Sequence, residues 1–170
     1  AMIATDRDDP DGEVIALAHR IPMHLGSMVG AVDEIRKRFR ESDILPGDMF
    51  MANDPYNGGG THLPDITIIA PVFVDGKIVA FVANIAHHAD VGGMVPGSMS
   101  TNATEIFQEG LILAGIKLFS RGKPIRSVFD ILTANCRMPD FLRGDLWAGV
   151  ASVRVGERRV LEIVNKYGKD

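Results

Sequence analysis

The sequence predicts an α+β domain: a central sheet containing a β-hairpin, an N-terminal helix and a C-terminal helical tail. Three observations favour this class: an amphipathic stretch before residue 40, two strand-like runs around Asp75-Gly76, and helical periodicity over most of residues 124–167. The 170 residues are 46% hydrophobic and 24% charged, which is typical of a globular protein with a full core. We therefore expect residues 1–170 to form a single domain.

The N-terminal helix is predicted from hydrophobic spacing. Apolar side chains recur at steps of three and four at Met28, Val32, Ile35 and Phe39. Ser27 is the expected N-cap, since a serine hydroxyl can accept a hydrogen bond from a free amide of the first turn. The acidic segment upstream ends in an Asp-Pro-Asp-Gly turn, and the weak alternation at residues 13–18 predicts a short strand.

The central hairpin is the clearest local prediction. Residues 66–74 and 77–86 are rich in Val, Ile and Phe, and Asp75-Gly76 between them is the typical pair for a two-residue type I′ turn. Residues 49–52 are expected to form a buried strand before the hairpin. A strand is also predicted within residues 111–119, after one helical turn within residues 101–108.

Two glycine-rich stretches flank the hairpin and are expected to be irregular loops, at residues 57–62 and 91–98. The C-terminal part is predicted to be helical over residues 124–136 and 140–167. The first helix should bury one apolar side, made of Ile125, Val128, Ile131 and Leu132. We expect the second to be broken or bent by Gly144, Gly149 and Gly156.

Histidines and carboxylates cluster at the open end of the hairpin. His62 precedes Asp65 by three residues at the start of the first strand, and the adjacent His87 and His88 end the second. A turn at 75–76 makes opposite positions sum to about 151, so position 65 should face about 86 and position 62 about 89. Two imidazoles and a carboxylate converging from adjacent strand ends fit a divalent metal site with open positions. If each histidine–aspartate pair is considered alone, the alternative to a metal site is an ordinary hydrogen bond on the protein surface.

Other polar residues leave more than one interpretation open. His24 is either a further contributor to that site or a buried, hydrogen-bonded histidine. Asp54, ahead of Pro55, is a candidate general acid or base, or the first residue of an Asx-turn. Glu105 is a second catalytic candidate if its loop folds inward, and otherwise lies on a helix face. Cys136 is expected to pack in a helix rather than act as a nucleophile.

Composition and missing motifs exclude several classes of function. The net charge of −4 argues against a general nucleic-acid binder, which needs a basic surface. No apolar run approaches the roughly 20 residues of a membrane helix, and we expect no signal peptide. A single cysteine favours a cytoplasmic location. The glycine runs match neither a Walker A loop nor a dinucleotide fingerprint, so we expect no nucleotide site in this chain.

Several motifs together carry a family resemblance. They are Asn-Asp-Pro-Tyr at 53–56, Gly-Gly-Gly-Thr-His-Leu-Pro-Asp at 58–65, Ala-His-His-Ala-Asp-Val-Gly-Gly at 86–93 and Pro-Gly-Ser at 96–98. The segments 21–26, 104–110, 134–137 and 143–146 add to them. In this order they resemble the B subunit of ATP-dependent hydantoinases, the B-type half of 5-oxoprolinase and the alpha subunit of acetone carboxylase. Family B subunits are considerably longer, so the chain would be a fragment of one.

The resemblance implies specific site residues. Family B subunits hold a divalent metal through the Thr-His-x-x-Asp motif and the first histidine of Ala-His-His, which correspond here to His62, Asp65 and His87. His88 is a fourth candidate ligand and the less favoured of the two adjacent histidines. Zinc, manganese and iron(II) all tolerate this donor set. ATP would be bound by a hydantoinase A-type partner subunit and not by this chain.

The resemblance also implies the chemistry. The A subunit phosphorylates a carbonyl oxygen of a small cyclic amide, and a metal-bound water then opens the ring, so the expected activity is that of an ATP-dependent cyclic-amide hydrolase. We expect the isolated chain to be inactive. Two alternatives stay open: carboxylation of a phosphorylated enol, as in acetone carboxylase, and a non-catalytic assembly domain.

Overall fold

The computed structural model describes residues 2–3, 24–57 and 60–168; the strand predicted at residues 13–18 lies outside these ranges. Two short 3₁₀ turns, Glu41–Asp43 and Ile106–Gln108, accompany the main elements. The strands are β1 (Met2–Ile3), β2 (Met49–Ala52), β3 (Asp65–Val74), β4 (Lys77–His87), β5 (Ile116–Ser120) and β6 (Lys123–Pro124). The helices are α1 (His24–Arg38), α2 (Arg126–Ala134) and α3 (Pro139–Tyr167). This confirms the predicted α+β class.

The six strands form one antiparallel sheet in the order β1-β4-β3-β2-β5-β6. Alternate side chains of a strand point to opposite faces, and helices cover both faces here. On one face α1 packs against Phe50, Ile69 and Phe81. On the other face α2 and α3 pack against residues that include Met51 and Ile68. We call these the α1 face and the α3 face.

The hairpin prediction is confirmed, with one change in register. Asp75 and Gly76 both have positive φ, as a type I′ turn requires, and Val74 pairs with Lys77. A β-bulge at Val79 then shifts the pairing by one residue. Position 65 consequently pairs with His87 rather than with position 86 as predicted. Directly opposite residues share a face, so the bulge puts the His87 side chain on the same face as Asp65.

The N-terminal helix forms as predicted, but its predicted start is wrong. α1 begins at His24, and Ser27 lies inside the first turn, where its hydroxyl donates to the carbonyl of His24 at 3.1 Å. Met28, Val32 and Ile35 are buried against the sheet. With this earlier start, His24 lies on the α1 face near the start of β3.

The predicted interruption of the C-terminal helix is also wrong, because α3 continues for 29 residues. A Cβ at position 149 would lie 2.7 Å from Ile68 Cδ1, and one at position 156 would lie 3.4 Å from Val82. Gly149 therefore lets the helix approach the sheet closely, whereas a Cβ at position 156 would make an ordinary contact. In α2 the predicted apolar side is shifted: Phe129 and Leu132 are buried, whereas Ile131 is exposed. Among the described residues, no helix is both long and apolar enough to span a membrane.

Candidate metal centre

The predicted histidine and aspartate side chains meet on the α1 face, at the open end of the β3–β4 hairpin. Asp65 is the first residue of β3 and His87 is the last of β4. His62 lies in the short loop that enters β3, and the amide of Asp65 donates to the carbonyl of His62 at 3.0 Å. The three residues therefore share one end of the sheet because two strands end there.

A buried carboxylate forms the middle of this cluster. Asp65 is only 2% exposed. Its Oδ2 lies 2.9 Å from His62 Nδ1, and its Oδ1 lies 3.1 Å from His87 Nδ1. The hydroxyl of Thr61 donates to Oδ2 as well. The two imidazole rings are stacked with their centroids 5.0 Å apart.

The donor set fits a divalent ion. His62, Asp65 and His87 each offer a ligand atom, and these atoms lie within 4.8 Å of one another. Two imidazole nitrogens with one carboxylate oxygen suit zinc, manganese or iron(II). Asp65 is buried while half of the His87 side chain is exposed, so the cluster is anchored in the protein and open on one side. Such an arrangement leaves positions for water and substrate.

Asn53, which was not among the predicted site residues, fixes the loop that leads into this cluster. Asn53 is fully buried, and its amide nitrogen donates to the carbonyls of Leu63 at 2.7 Å and Leu111 at 3.0 Å. Its amide oxygen accepts from the Leu113 amide at 2.7 Å. Asn53 thereby connects the loop that carries His62 and Asp65 to residues 111–113. The sequence signal that could have identified Asn53 is its position between a buried strand and a glycine-rich run.

His24 also approaches the aspartate, from the first turn of α1. Its Nδ1 lies 3.8 Å from Asp65 Oδ2. That atom is buried and has no hydrogen-bond partner among the described residues. The interpretation of His24 as a buried, hydrogen-bonded histidine therefore does not hold for its Nδ1.

The structure places His88 away from the cluster. Neighbouring residues of a strand face opposite sides, and His88 points to the α3 face, where its Nδ1 lies 3.9 Å from Asp145 Oδ2. The side chain is 2% exposed, and burial lowers the pKa of its imidazole. His88 is not part of the three-residue group, so its predicted role as a metal ligand has no geometric support.

The two catalytic candidates lie in turns. Asp54 Oδ1 accepts hydrogen bonds from the Tyr56 amide at 2.9 Å and the Asn57 amide at 3.4 Å, which is the Asx-turn interpretation. Although burial favours the neutral acid, the Asn57 side chain and these amides hold the pKa of Asp54 below its usual value. Glu105 is exposed next to the second 3₁₀ turn. Catalytic roles for both stay predictions.

A second buried aspartate organises the glycine-rich loop after β4. Asp90 accepts from the amides of Gly92, Gly97 and Arg137, each at 3.0 Å, and from Arg137 Nη1 at 3.0 Å. Burial opposes ionisation, but these donors lower the pKa of Asp90 to about 2. The Cys136 thiol donates to the Asp90 carbonyl, and burial raises the pKa of that thiol. Cys136 is packed as expected, but it lies between α2 and α3 rather than in a helix.

Comparison with known proteins places the chain in a family. A family model described as hydantoinase B/oxoprolinase matches residues 8–170. An uncharacterized protein of Methanocaldococcus jannaschii is 44% identical over 93% of this chain and 28% of its own length. Caprolactamase subunit beta of Pseudomonas jessenii is 35% identical over 93% of this chain and 27% of its own length. The chain thus spans about a quarter of the length of these relatives.

Solved structures show the same fold. The crystal structure of ATP-dependent caprolactamase from Pseudomonas jessenii matches with a TM-score of 0.81 and 35% identity, over 87% of this chain and 25% of that one. A nucleotide-free acetone carboxylase matches with a TM-score of 0.86 over 98% of this chain and 22% of that one. At 23% identity, that second likeness shows the fold alone. With the family match over residues 8–170, these findings identify the chain as a member of the hydantoinase B/oxoprolinase family.

Proposed function

We propose that the chain is the metal-site domain of a B-type subunit in an ATP-dependent cyclic-amide hydrolase. The observation that carries the proposal is the convergence of His62, Asp65 and His87 at one end of the sheet. Membership of a family that includes oxoprolinases and a relative named caprolactamase subunit beta supports the substrate class. A cyclic amide activated by phosphorylation at its carbonyl oxygen is the proposed substrate.

The chain's own residues would hold and orient the site. His62 and His87 supply nitrogens from two backbone segments, and Asp65 supplies a carboxylate that burial and the Thr61 hydroxyl keep in place. A divalent ion held by these residues would supply Lewis-acid chemistry and lower the pKa of a bound water toward neutrality. The exposed edge of His87 marks the side from which a substrate can approach.

ATP would be used by a second protein. The sequence contains neither a Walker A loop nor a dinucleotide fingerprint. Relatives named as subunits support the existence of a partner. We therefore propose that a hydantoinase A-type subunit binds ATP and phosphorylates the cyclic amide, while this chain contributes the metal. If the complete B-type subunit opened a lactam with ATP in the absence of a second protein, this division would be wrong.

Metal affinity of single variants tests the proposal directly. We expect the purified chain to bind about one equivalent of Zn²⁺ or Mn²⁺ in equilibrium dialysis with elemental analysis. His62→Ala or His87→Ala should weaken binding by more than about 100-fold, since even outer-shell partners of a metal are worth roughly 10- to 100-fold.

The adjacent histidine provides the matched control. His88→Gln changes a neighbour of His87 that points to the other face, so metal affinity should stay within about threefold of the unchanged chain. Retention of the ion in both alanine variants would contradict the proposal. A non-catalytic assembly domain would then be the better interpretation of this chain's function.

A further inference from the structure

The Nδ1 atom of His24 is buried beside the proposed metal site, and the residues of that site give it no hydrogen-bond partner. The side chain is 15% exposed, and its Nδ1 points at Asp65 Oδ2 from 3.8 Å, which is too far for a hydrogen bond. No other described residue pairs with this nitrogen. Buried polar atoms without partners are rare in folded proteins, and each calls for an explanation.

His24 is not placed as a metal ligand itself. The group of ligand atoms within 4.8 Å of one another comprises His62, Asp65 and His87 without His24. It approaches the carboxylate from α1, whereas the other two histidines come from the hairpin end. Because His24 Nδ1 faces Asp65 Oδ2, a role of His24 in the site would act through that carboxylate.

Metal binding would change which groups donate to Asp65. His62 Nδ1 lies 2.9 Å from Asp65 Oδ2, and His87 Nδ1 is within hydrogen-bond distance of Oδ1 at 3.1 Å. A ring nitrogen that binds an ion directs its lone pair at that ion and cannot donate a hydrogen bond to the carboxylate. Oδ2 then keeps the Thr61 hydroxyl as a donor. The unpartnered His24 Nδ1 is placed to supply a second one.

We propose that His24 is a positioning residue of the metal site: with an ion bound, its Nδ1–H donates to Asp65 Oδ2 and fixes the ligating carboxylate. This inference rests on the proposed metal site. Ligating carboxylates are commonly held by such outer-shell donors, and their loss typically weakens metal binding roughly 10- to 100-fold. The early start of α1 at His24 is what brings the imidazole to this position.

The test compares two amide substitutions at this position. In His24→Asn the side-chain amide lies near the place of Nδ1 and can still donate to Asp65. In His24→Gln the amide extends toward the place of Nε2 and cannot. We expect Zn²⁺ affinity, measured by chelator competition on the full chain, to fall about 10- to 100-fold in the Gln variant. In the Asn variant it should stay within about threefold of the unchanged chain.

Ser27→Ala is the structural control. The Ser27 hydroxyl donates to the His24 carbonyl in the same turn, so its loss perturbs the helix start without touching the imidazole. Metal affinity should be unchanged, and thermal unfolding of the metal-free variants shows whether each has folded. Equal affinity losses in the Asn and Gln variants, or unchanged affinity in both, would overturn the role of His24.

The outcome for His62→Ala separates this inference from the proposed function. If His62→Ala abolishes metal binding while His24→Gln leaves it unchanged, the metal site stands and only the positioning role fails. If the chain binds no ion that depends on His62, the proposed site fails and the inference fails with it.

Discussion

Two buried aspartates lie at the same end of the hairpin and have opposite surroundings. Asp65 is contacted by His62 and His87, whose imidazole nitrogens are common metal ligands. Asp90 is contacted by three backbone amides and the permanently charged guanidinium of Arg137. Both carboxylates are 2% exposed, so burial does not distinguish them.

The difference shows that the hydrogen-bond donors around a buried carboxylate determine whether it stabilises the fold or can take part in chemistry. Arg137 also donates to the carbonyls of Gly92, Gly93 and Val95, which leaves Asp90 enclosed in a completed network. Among the described residues, the donors to Asp90 are backbone amides and a guanidinium, and neither group binds metal ions as an imidazole does. Asp65, in contrast, has imidazole partners and faces an unpaired buried nitrogen of His24. We infer that Asp90 stabilises the loop and that Asp65 is available for chemistry.

Exchanging each carboxylate for an amide should separate the two roles most strongly. Asp90→Asn keeps the shape but points an NH₂ group at N–H donors, so we expect a loss of about 2–3 kcal/mol in the free energy of unfolding. For a chain of this size that corresponds to a fall in Tm of about 5–10 °C, measurable by calorimetry. Its Zn²⁺ affinity should be nearly unchanged.

Asp65→Asn should show the reverse pattern. Metal affinity should fall more than about 100-fold, because a ligand is lost rather than an outer-shell partner. The stability of the metal-free variant should change by less than about 1 kcal/mol, since an amide can still hydrogen-bond to Thr61 and the imidazoles. Similar losses of stability in both variants would contradict the comparison.

Acid should weaken the Asp90 network over a defined pH range. The pKa of Asp90 is lowered from 3.8 to about 2 in the folded chain. A lowered pKa contributes stability above pH 4 that is lost as pH falls toward 2, and the contribution amounts to about 2 kcal/mol. Urea denaturation between pH 5 and pH 2 should therefore show the stability gap between the unchanged chain and Asp90→Asn narrowing by most of that amount. A gap that stays constant would mean that the Asp90 charge does not stabilise the fold.

The sequence predicted the fold and the three-residue cluster because both follow from local patterns. Asp75-Gly76 specifies the turn, and the turn brings the two strand ends together. Which of the two adjacent histidines faces Asp65 depends on a single bulge at Val79. Without the bulge, position 65 would pair with Ala86, and the side chain of His88 rather than that of His87 would share its face. No turn or spacing signal marked that bulge.

The Asp90 network and the approach of His24 to Asp65 depend on information that a single sequence does not contain. Both depend on contacts between segments far apart in sequence: Asp90 with Arg137 on the approach to α3, and Asp65 with the first residue of α1. The expected N-cap at Ser27 would have left His24 outside the helix. Tertiary packing decided where the helix begins, and a single sequence contains little information about that.

Asp54 is another buried carboxylate, and the sequence predicted a catalytic role for it. Its substitution should have the smallest effect on stability among these variants. Its oxygens are occupied by its own turn: Oδ1 by the Tyr56 and Asn57 amides, and Oδ2 by the Asn57 side chain at 2.9 Å. We expect Asp54→Ala to cost about 1 kcal/mol of stability, as loss of a comparable side-chain cap does. Asp54→Asn, which can form the same turn, should cost less than about 0.5 kcal/mol. Zn²⁺ affinity should be unchanged in both, which would group Asp54 with Asp90. A metal affinity that fell with Asp54→Ala but not with Asp90→Asn would instead place Asp54 beside Asp65 in the functional site.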